Sequence, residues 1–213
     1  MSELFQIQQL REDQVEAASK VLARAFQDDP LFIYCFPDPK ERKIKNVTFC
    51  EFLILNGILY GDVYITSTEI EGVSVWWPFF KKDENIEMLS KEIKRRMRKA
   101  KRDSFSDPGF IERYGVFTEV QSSFENEHVN FPHWELLIIG VDPIYQGKGY
   151  GSKLIRMKLA KIDEQNLPCF LHTEKEENVK LYEHFGFEIV GKVKVPNSDF
   201  YFHAMLRKKS KAI

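Results

Sequence analysis

The sequence predicts an α/β fold in which a mixed central β-sheet of about seven strands is flanked by helices, and three observations carry that reading. An apolar strand, Leu136-Leu137-Ile138-Ile139-Gly140-Val141, ends at Asp142-Pro143 and runs through Gln146-Gly147-Lys148-Gly149-Tyr150-Gly151-Ser152 straight into a helix. From that strand on, the pattern reads βαβαββ. The first half sets helices of three-to-four periodicity around one hairpin. With 213 residues, no dividing linker and no internal repeat, a single domain over 1–213 is expected, its binding core at about 130–190.

Taken in order, Phe5, Ile7 and Leu10 open a short first strand. Val15, Ala18, Leu22, Ala25 and Phe26 then mark one face of a helix that Asp28-Asp29-Pro30 ends. Residues 31–39 are aromatic and punctuated by proline, an irregular loop or a short turn of helix. A second helix spans about Glu41 to Leu59. Its run from Phe49 to Tyr60 is interrupted by Glu51, Asn56 and Gly57 and falls far short of the ~20 residues of a membrane span, so it reads as a core helix. Val63 to Ile70 alternates, and a Glu71-Gly72 turn joins it to Val73–Trp77, closed by Pro78, as a β-hairpin.

Ile86, Leu89, Ile93, Met97 and Ala100 define the next helix, and Lys94, Arg95, Arg96, Arg98, Lys99, Lys101 and Arg102 occupy its other face. A basic run of this kind fits either a phosphate patch or a solvated face, and the neutral balance of the chain favours the solvated face. Ser106-Asp107-Pro108-Gly109 breaks the helix, and a weaker one covers 110–126. The central strand runs from about His133 to Val141, and Leu154, Ile155, Leu159 and Ile162 mark the helix after the glycine turn, through Gln165. Leu167–His172 is a strand, Asn178–Phe185 a helix ended by Gly186, Phe187–Val195 a strand. Phe200, Phe202, Ala204 and Leu206 alternate through the last strand before a basic tail.

Composition excludes whole classes of function. Lysine and arginine number 31 against 32 acidic residues, so no general attraction to nucleic acid or to an anionic membrane is expected. Aromatic residues make up 14%, with 18 Phe, pointing to a substantial core and an apolar substrate tunnel. Cys35, Cys50 and Cys169 are scattered and odd in number, which fits buried thiols in a reducing cytosol, and neither a disulfide framework nor a metal site is expected. Met1-Ser2-Glu3-Leu4 has no basic leader or long apolar segment, so a cytoplasmic location is expected.

The glycine turn carries the first chemical signal. Glycines at a strand-to-helix turn let backbone N–H groups converge on an anion at a helix N-terminus, where the dipole also favours negative charge. Here the glycines alternate, so the GxGxxG dinucleotide pattern fails, and no GxxxxGK[ST] run exists. What fits is Gln-x-x-Gly-x-Gly at Gln146, Gly149 and Gly151, which resembles the acetyl-CoA-binding signature of the GNAT (GCN5-related) N-acetyltransferases. A second stretch, Asn178-Val179-Lys180-Leu181-Tyr182, resembles the closing motif of the same superfamily, with an Asn and a Tyr on one helix face. Within it, His133-Trp134-Glu135-Leu136, Gly140-Val141-Asp142-Pro143 and Asn178-Val179-x-x-Tyr182 are most similar in wording to the puromycin N-acetyltransferase-like branch.

The resemblance implies a GNAT fold, splayed at its central strands to admit acetyl-CoA. It implies that Ile139, Gly140 and Val141 meet the pantetheine arm, that Gln146, Gly147, Lys148, Gly149, Tyr150, Gly151 and Ser152 hold the pyrophosphate, and that Asn178 and Tyr182 meet the cofactor. An amine attacks the thioester, a backbone N–H near Val141 stabilises the oxyanion, and Tyr182 protonates the departing thiolate.

An amine of pKa near ~10 must lose a proton before it attacks. Glu135, on the central strand with Trp134 and Leu136 on the opposite face, is the first candidate base, ahead of His133, His172, His203 or water. Asp142 is expected to cap its turn. The acceptor expected is a primary amine of a small molecule, in a pocket enclosed by Phe32, Tyr34, Phe36, Trp76 and Trp77, and the protein a possible homodimer. A non-catalytic acyl-CoA sensor and a protein or peptide N-acetyltransferase are the alternatives.

Overall fold

The computed structural model describes residues 7–80 and 90–209. Its seven strands are β1 (Gln8–Gln9), β2 (Asp62–Ile65), β3 (Gly72–Pro78), β4 (Trp134–Val141), β5 (Cys169–Thr173), β6 (Glu188–Lys194) and β7 (Tyr201–Arg207). They form one open sheet in the order β1-β2-β3-β4-β5-β7-β6, antiparallel throughout except for β4 beside β5. Helices α1 (Val15–Ala25), α2 (Pro30–Cys35), α3 (Pro39–Tyr60), α4 (Lys91–Ser104) and α5 (Pro108–His128) come before β4, while α6 (Tyr150–Glu164) and α7 (Glu176–Glu183) follow it.

Three of these helices begin with the same dipeptide for the same reason. In Asp29-Pro30, Asp38-Pro39 and Asp107-Pro108 the aspartate side chain accepts first-turn N–H groups, from Leu31 at 3.0 Å, from Lys40 and Glu41 at 2.8 Å, and from Gly109 at 2.9 Å. Proline at the first helical position gives up an N–H that would have had no helical partner. Residues 31–39, open between loop and helical turn in the sequence, thus hold the short α2.

The sheet separates two cores. Val75, Ile138, Phe170 and Phe202 pack on one face beneath α1, α3 and α5, and Trp76, Trp134, Leu136 and Leu171 pack on the other beneath α6 and α7. Phe49, Cys50, Leu53, Ile54 and Leu55 of α3 are buried, as expected for a core helix, and no helix among the described residues is long and apolar enough to cross a membrane. On α4 the basic face is answered locally, Arg95 by Glu92, Arg96 by Glu51, and Lys99 and Arg102 by Asp103.

Two features of β4 place the site. Its parallel register with β5 covers only Trp134 to Leu136, opposite Cys169 to Leu171, although β4 continues to Val141, so the two strands part beyond Leu136. At the same point Leu137 is an extra residue against β3, because Val75 pairs with Ile138 while Trp76 pairs with Leu136. Such a bulge turns the strand's faces over. Leu136 belongs to the α6 core and Ile138 to the α1 core, a switch that period-two reading of the sequence does not contain.

The hairpin differs from expectation. β2 stops at Ile65, and residues 66–71 form a loop whose Thr66 and Ser67 hydroxyls donate to Glu71 Oε2 at 2.7 and 2.8 Å while Gly72 N donates to Thr66 Oγ1 at 3.0 Å. Local side-chain bonds of this kind compete with the ladder and end it. Of the first strand only Gln8–Gln9 pairs, and Phe5, together with Ile86 and Leu89 of the expected fourth helix, lies outside the described residues.

Candidate functional site

Where β4 leaves β5, two chambers open side by side. The wider cleft, about 550 Å³, is floored by Ile139, Gly140 and Val141, walled by Gln146, Gly147, Gly149, Tyr150, Gly151 and Ser152 on one side and by Asn178 and Tyr182 on the other. The narrower, about 90 Å³, runs under α1, α2, α3 and α5 and ends at Leu136 and His172. They share Phe26, Asp29, Ile139, Asn178 and Tyr182, which therefore mark the junction.

The glycine turn takes its shape from backbone conformation. Gly147 and Gly149 have φ of 75° and 81°, the left-handed region, and a Cβ at either would meet nothing within 4 Å, so conformation and not room calls for glycine. Gly149 caps α6 with no side-chain hydrogen bond, which leaves the first-turn N–H groups and the positive end of the dipole facing the cleft. The turn is tied down from outside. Gln146 Nε2 donates to Val141 O at 3.1 Å, Asp142 caps the short turn Pro143–Tyr145 through Ile144 N at 3.3 Å as expected, and its other oxygen binds Arg24 Nε at 2.8 Å. A long anionic ligand fits this donor set. Lys148, expected with the group, points elsewhere: its Nζ donates to Ile144 O at 3.3 Å, and it does not line the cleft.

On the opposite wall Asn178 Nδ2 donates to Thr173 Oγ1 at 3.3 Å, fixing the start of α7 to the end of β5. One turn on, Tyr182 is 7% exposed and its hydroxyl has no hydrogen-bond partner among the described residues. Burial, then the Glu174 and Asp29 carboxylates, push that hydroxyl well above the ordinary phenol range, so it stays protonated.

The narrow chamber is aromatic with an acidic edge. Ring contacts run without a break from Phe26 to Phe32 (5.0 Å between centroids), to Phe49 (5.7 Å), Tyr114 (5.1 Å), Phe117 (6.5 Å) and His172 (5.4 Å). His172 Nδ1 bonds Glu174 Oε1 at 2.9 Å. Burial opposes charge on that ring, but the Glu174 carboxylate, with Glu135 and Glu125 beyond, pushes its pKa up to about 9. Asp29, 5% exposed, is pushed up to about 7 by burial and by Glu174, with Lys175 opposing. Its capping role holds the carboxylate at the junction, a duty that the Asp-Pro helix start signals in the sequence and that hides its place in the site.

Several expected site residues fall elsewhere. Glu135 is 1% exposed and does not line either chamber, because Gln121 stands between, donating to Glu135 Oε1 at 3.2 Å. His133 bonds Phe131 O at 2.7 Å beside a separate surface pocket, and His203 bonds Thr173 O at 3.1 Å in the core, leaving His172 as the histidine of the site. Of the expected pocket aromatics only Phe32 lines the narrow chamber. Tyr34 packs on Phe200, Phe36 stacks on Phe110, Trp76 lies in the α6 core and Trp77 stacks on Tyr60. Tyr114, Phe117 and Gln121 replace them, and their spacing of three and four on α5 was the available signal.

Comparison with known proteins agrees with this geometry. Residues 113–189 match the family described as Acetyltransferase (GNAT) domain. An uncharacterized N-acetyltransferase of Schizosaccharomyces pombe is 28% identical over 174 residues, 80% of this chain and 69% of the relative. A structure described as histone acetyltransferase HPA2 and related acetyltransferase, from Corynebacterium glutamicum, superposes with a TM-score of 0.67 at 20% identity over 97% of both chains. Arylalkylamine N-acetyltransferase 2 of Aedes aegypti superposes with a TM-score of 0.61 at 14% identity, over 96% of this chain and 99% of that one.

Proposed function

We propose that this chain, whose residues 113–189 match the acetyltransferase (GNAT) domain, is an acetyl-CoA-dependent acyltransferase of the GNAT superfamily, and that it acetylates a primary amine of a small molecule by direct attack in a ternary complex. The single observation that carries the reading is the junction: the glycine-turn cleft and the acidic, aromatic chamber meet at a buried phenol and a buried carboxylate.

Acetyl-CoA supplies an activated acetyl thioester. The protein's part is positioning and proton traffic. The N–H groups of the Gln146–Ser152 turn and the start of α6 hold the pyrophosphate. Ile139, Gly140 and Val141, unpaired from β5, offer backbone groups to the pantetheine arm, and an N–H near Val141 faces the charge that develops on the carbonyl oxygen. Tyr182, protonated and without a competing partner, gives its proton to the thiolate. Asp29 holds the incoming ammonium and takes its proton, the two groups together leaving the amine free to attack. Glu135, the base expected from the sequence, acts one layer back, through Gln121 and through its field on His172.

The narrowness of the acceptor chamber favours a small molecule over a polypeptide. The test is free-thiol release from acetyl-CoA across primary amines and short peptides, with CoA binding followed by calorimetry. Turnover on small amines supports the proposal. CoA binding without any turnover makes the chain a sensor, turnover on peptides alone makes it a peptide acetyltransferase, and no CoA binding overturns the cleft assignment.

A further inference from the structure

The acceptor chamber has a countable charge. Asp29, Glu174 and His172 are its charged lining residues, and His172 is bonded to Glu174, so Glu174 already has a side-chain partner while Asp29, at the junction, has none, Lys175 of the adjoining cleft reaching it only through its field. Both carboxylates are more than nine-tenths buried, and the unpartnered Tyr182 hydroxyl, itself 7% exposed, lies at the same junction. Away from it the wall is Phe32, Phe49, Leu53, Tyr114 and Phe117, with no lysine or arginine among the described residues lining the chamber. A second ammonium placed there would give up its water and find ring faces but no counter-ion.

Size sets the other limit. An apolar cavity of ~150 Å³ holds a benzene ring, whereas this chamber measures about 90 Å³. Resting on the acetyl-transfer reading above, we infer that the acceptor is a monoamine whose single ammonium sits at Asp29 and whose apolar body, smaller than a benzene ring, fills the space between α3 and α5. Diamines, aminonucleosides and peptides are excluded by charge or by bulk, the aminonucleoside against the puromycin-like wording of the motifs.

The experiment measures kcat/KM on the full chain at saturating acetyl-CoA for isobutylamine, isopentylamine, putrescine, puromycin and a tripeptide with a free N-terminus. The two apolar monoamines are expected to exceed the other three by about a hundredfold or more. Putrescine, puromycin or the peptide turning over as fast as the monoamines overturns the inference and leaves acetyl transfer standing. Thiol release with none of the five, while calorimetry shows CoA bound, overturns acetyl transfer to small amines and the inference with it. Leu53→Phe, which adds bulk to the α3 wall of the chamber, gives a second reading: with its thermal transition intact, it is expected to lower kcat/KM for isopentylamine about tenfold relative to isobutylamine. An equal change for both amines overturns the placement of the body between α3 and α5.

Discussion

Glu125 and Glu135 hang on the same nitrogen: Gln121 Nε2 donates to Glu125 Oε1 at 2.7 Å and to Glu135 Oε1 at 3.2 Å. One amide thus holds two carboxyl groups between α5 and the sheet, and burial, with Glu125 beside it, pushes the Glu135 pKa from its ordinary 4.5 up to about 8. The folded state therefore keeps a proton that the unfolded chain releases near pH 4.5. In the window from about 4.5 to 8 the unfolded chain binds fewer protons, so stability falls as pH rises.

Glu135→Gln keeps the hydrogen bond and removes the titration. Its Tm is expected to match the parent near pH 4.5 and to exceed it increasingly up to pH 8, by a stability difference on the order of a few kcal/mol. Thermal melts across that range decide it, and a pH-independent difference sinks the assignment.

Asp29 carries the opposite dependence for activity. With a pKa pushed up to about 7, it is ionised and able to hold an ammonium only above that pH, so kcat/KM for the amine should climb through neutrality. Asp29→Asn should flatten that limb and lower the plateau by about a hundredfold. An Asn variant that retains the limb assigns the titration to another group.

Tyr182→Phe removes a proton donor without changing the ring. A fall in kcat of about a hundredfold with CoA affinity nearly unchanged is expected. Initial rates beside calorimetry separate the two, and equal loss of both makes Tyr182 a packing residue.

Gly149→Ala places a side chain at φ 81°. Strain of ~1–2 kcal/mol is expected from the left-handed backbone, lowering Tm by several degrees and weakening CoA binding about tenfold, since the same conformation aims the N–H groups. Unchanged CoA affinity would separate the turn from the ligand.

Gly140→Ala tests the wall behind the cleft. A Cβ there comes within 2.9 Å of Ala25 Cβ and of Leu22 Cδ2 on α1, an overpacking that costs ~1–3 kcal/mol. Denaturant midpoints should fall accordingly, and a neutral variant would mean that α1 shifts freely over β4.

The sequence by itself determined which segments become strands and helices and their order along the chain, because apolar periodicity and turn residues act over a few positions. The βαβαββ half, the core helix α3, the glycine turn and the Asn178–Tyr182 face are all local patterns, and each stands where its residues put it. The tertiary structure decided what faces what. The extra residue at Leu137, which reverses the faces of β4, arises from pairing with β3, a strand some sixty residues away in the chain. Gln121 arrives from α5 to cover Glu135, Asp29 arrives from a helix cap to become the carboxylate of the junction, and Phe49, Tyr114 and Phe117 arrive from α3 and α5 to wall the narrow chamber. Those meetings depend on long-range packing, in which a residue's role is set by neighbours that its own stretch of sequence does not contain.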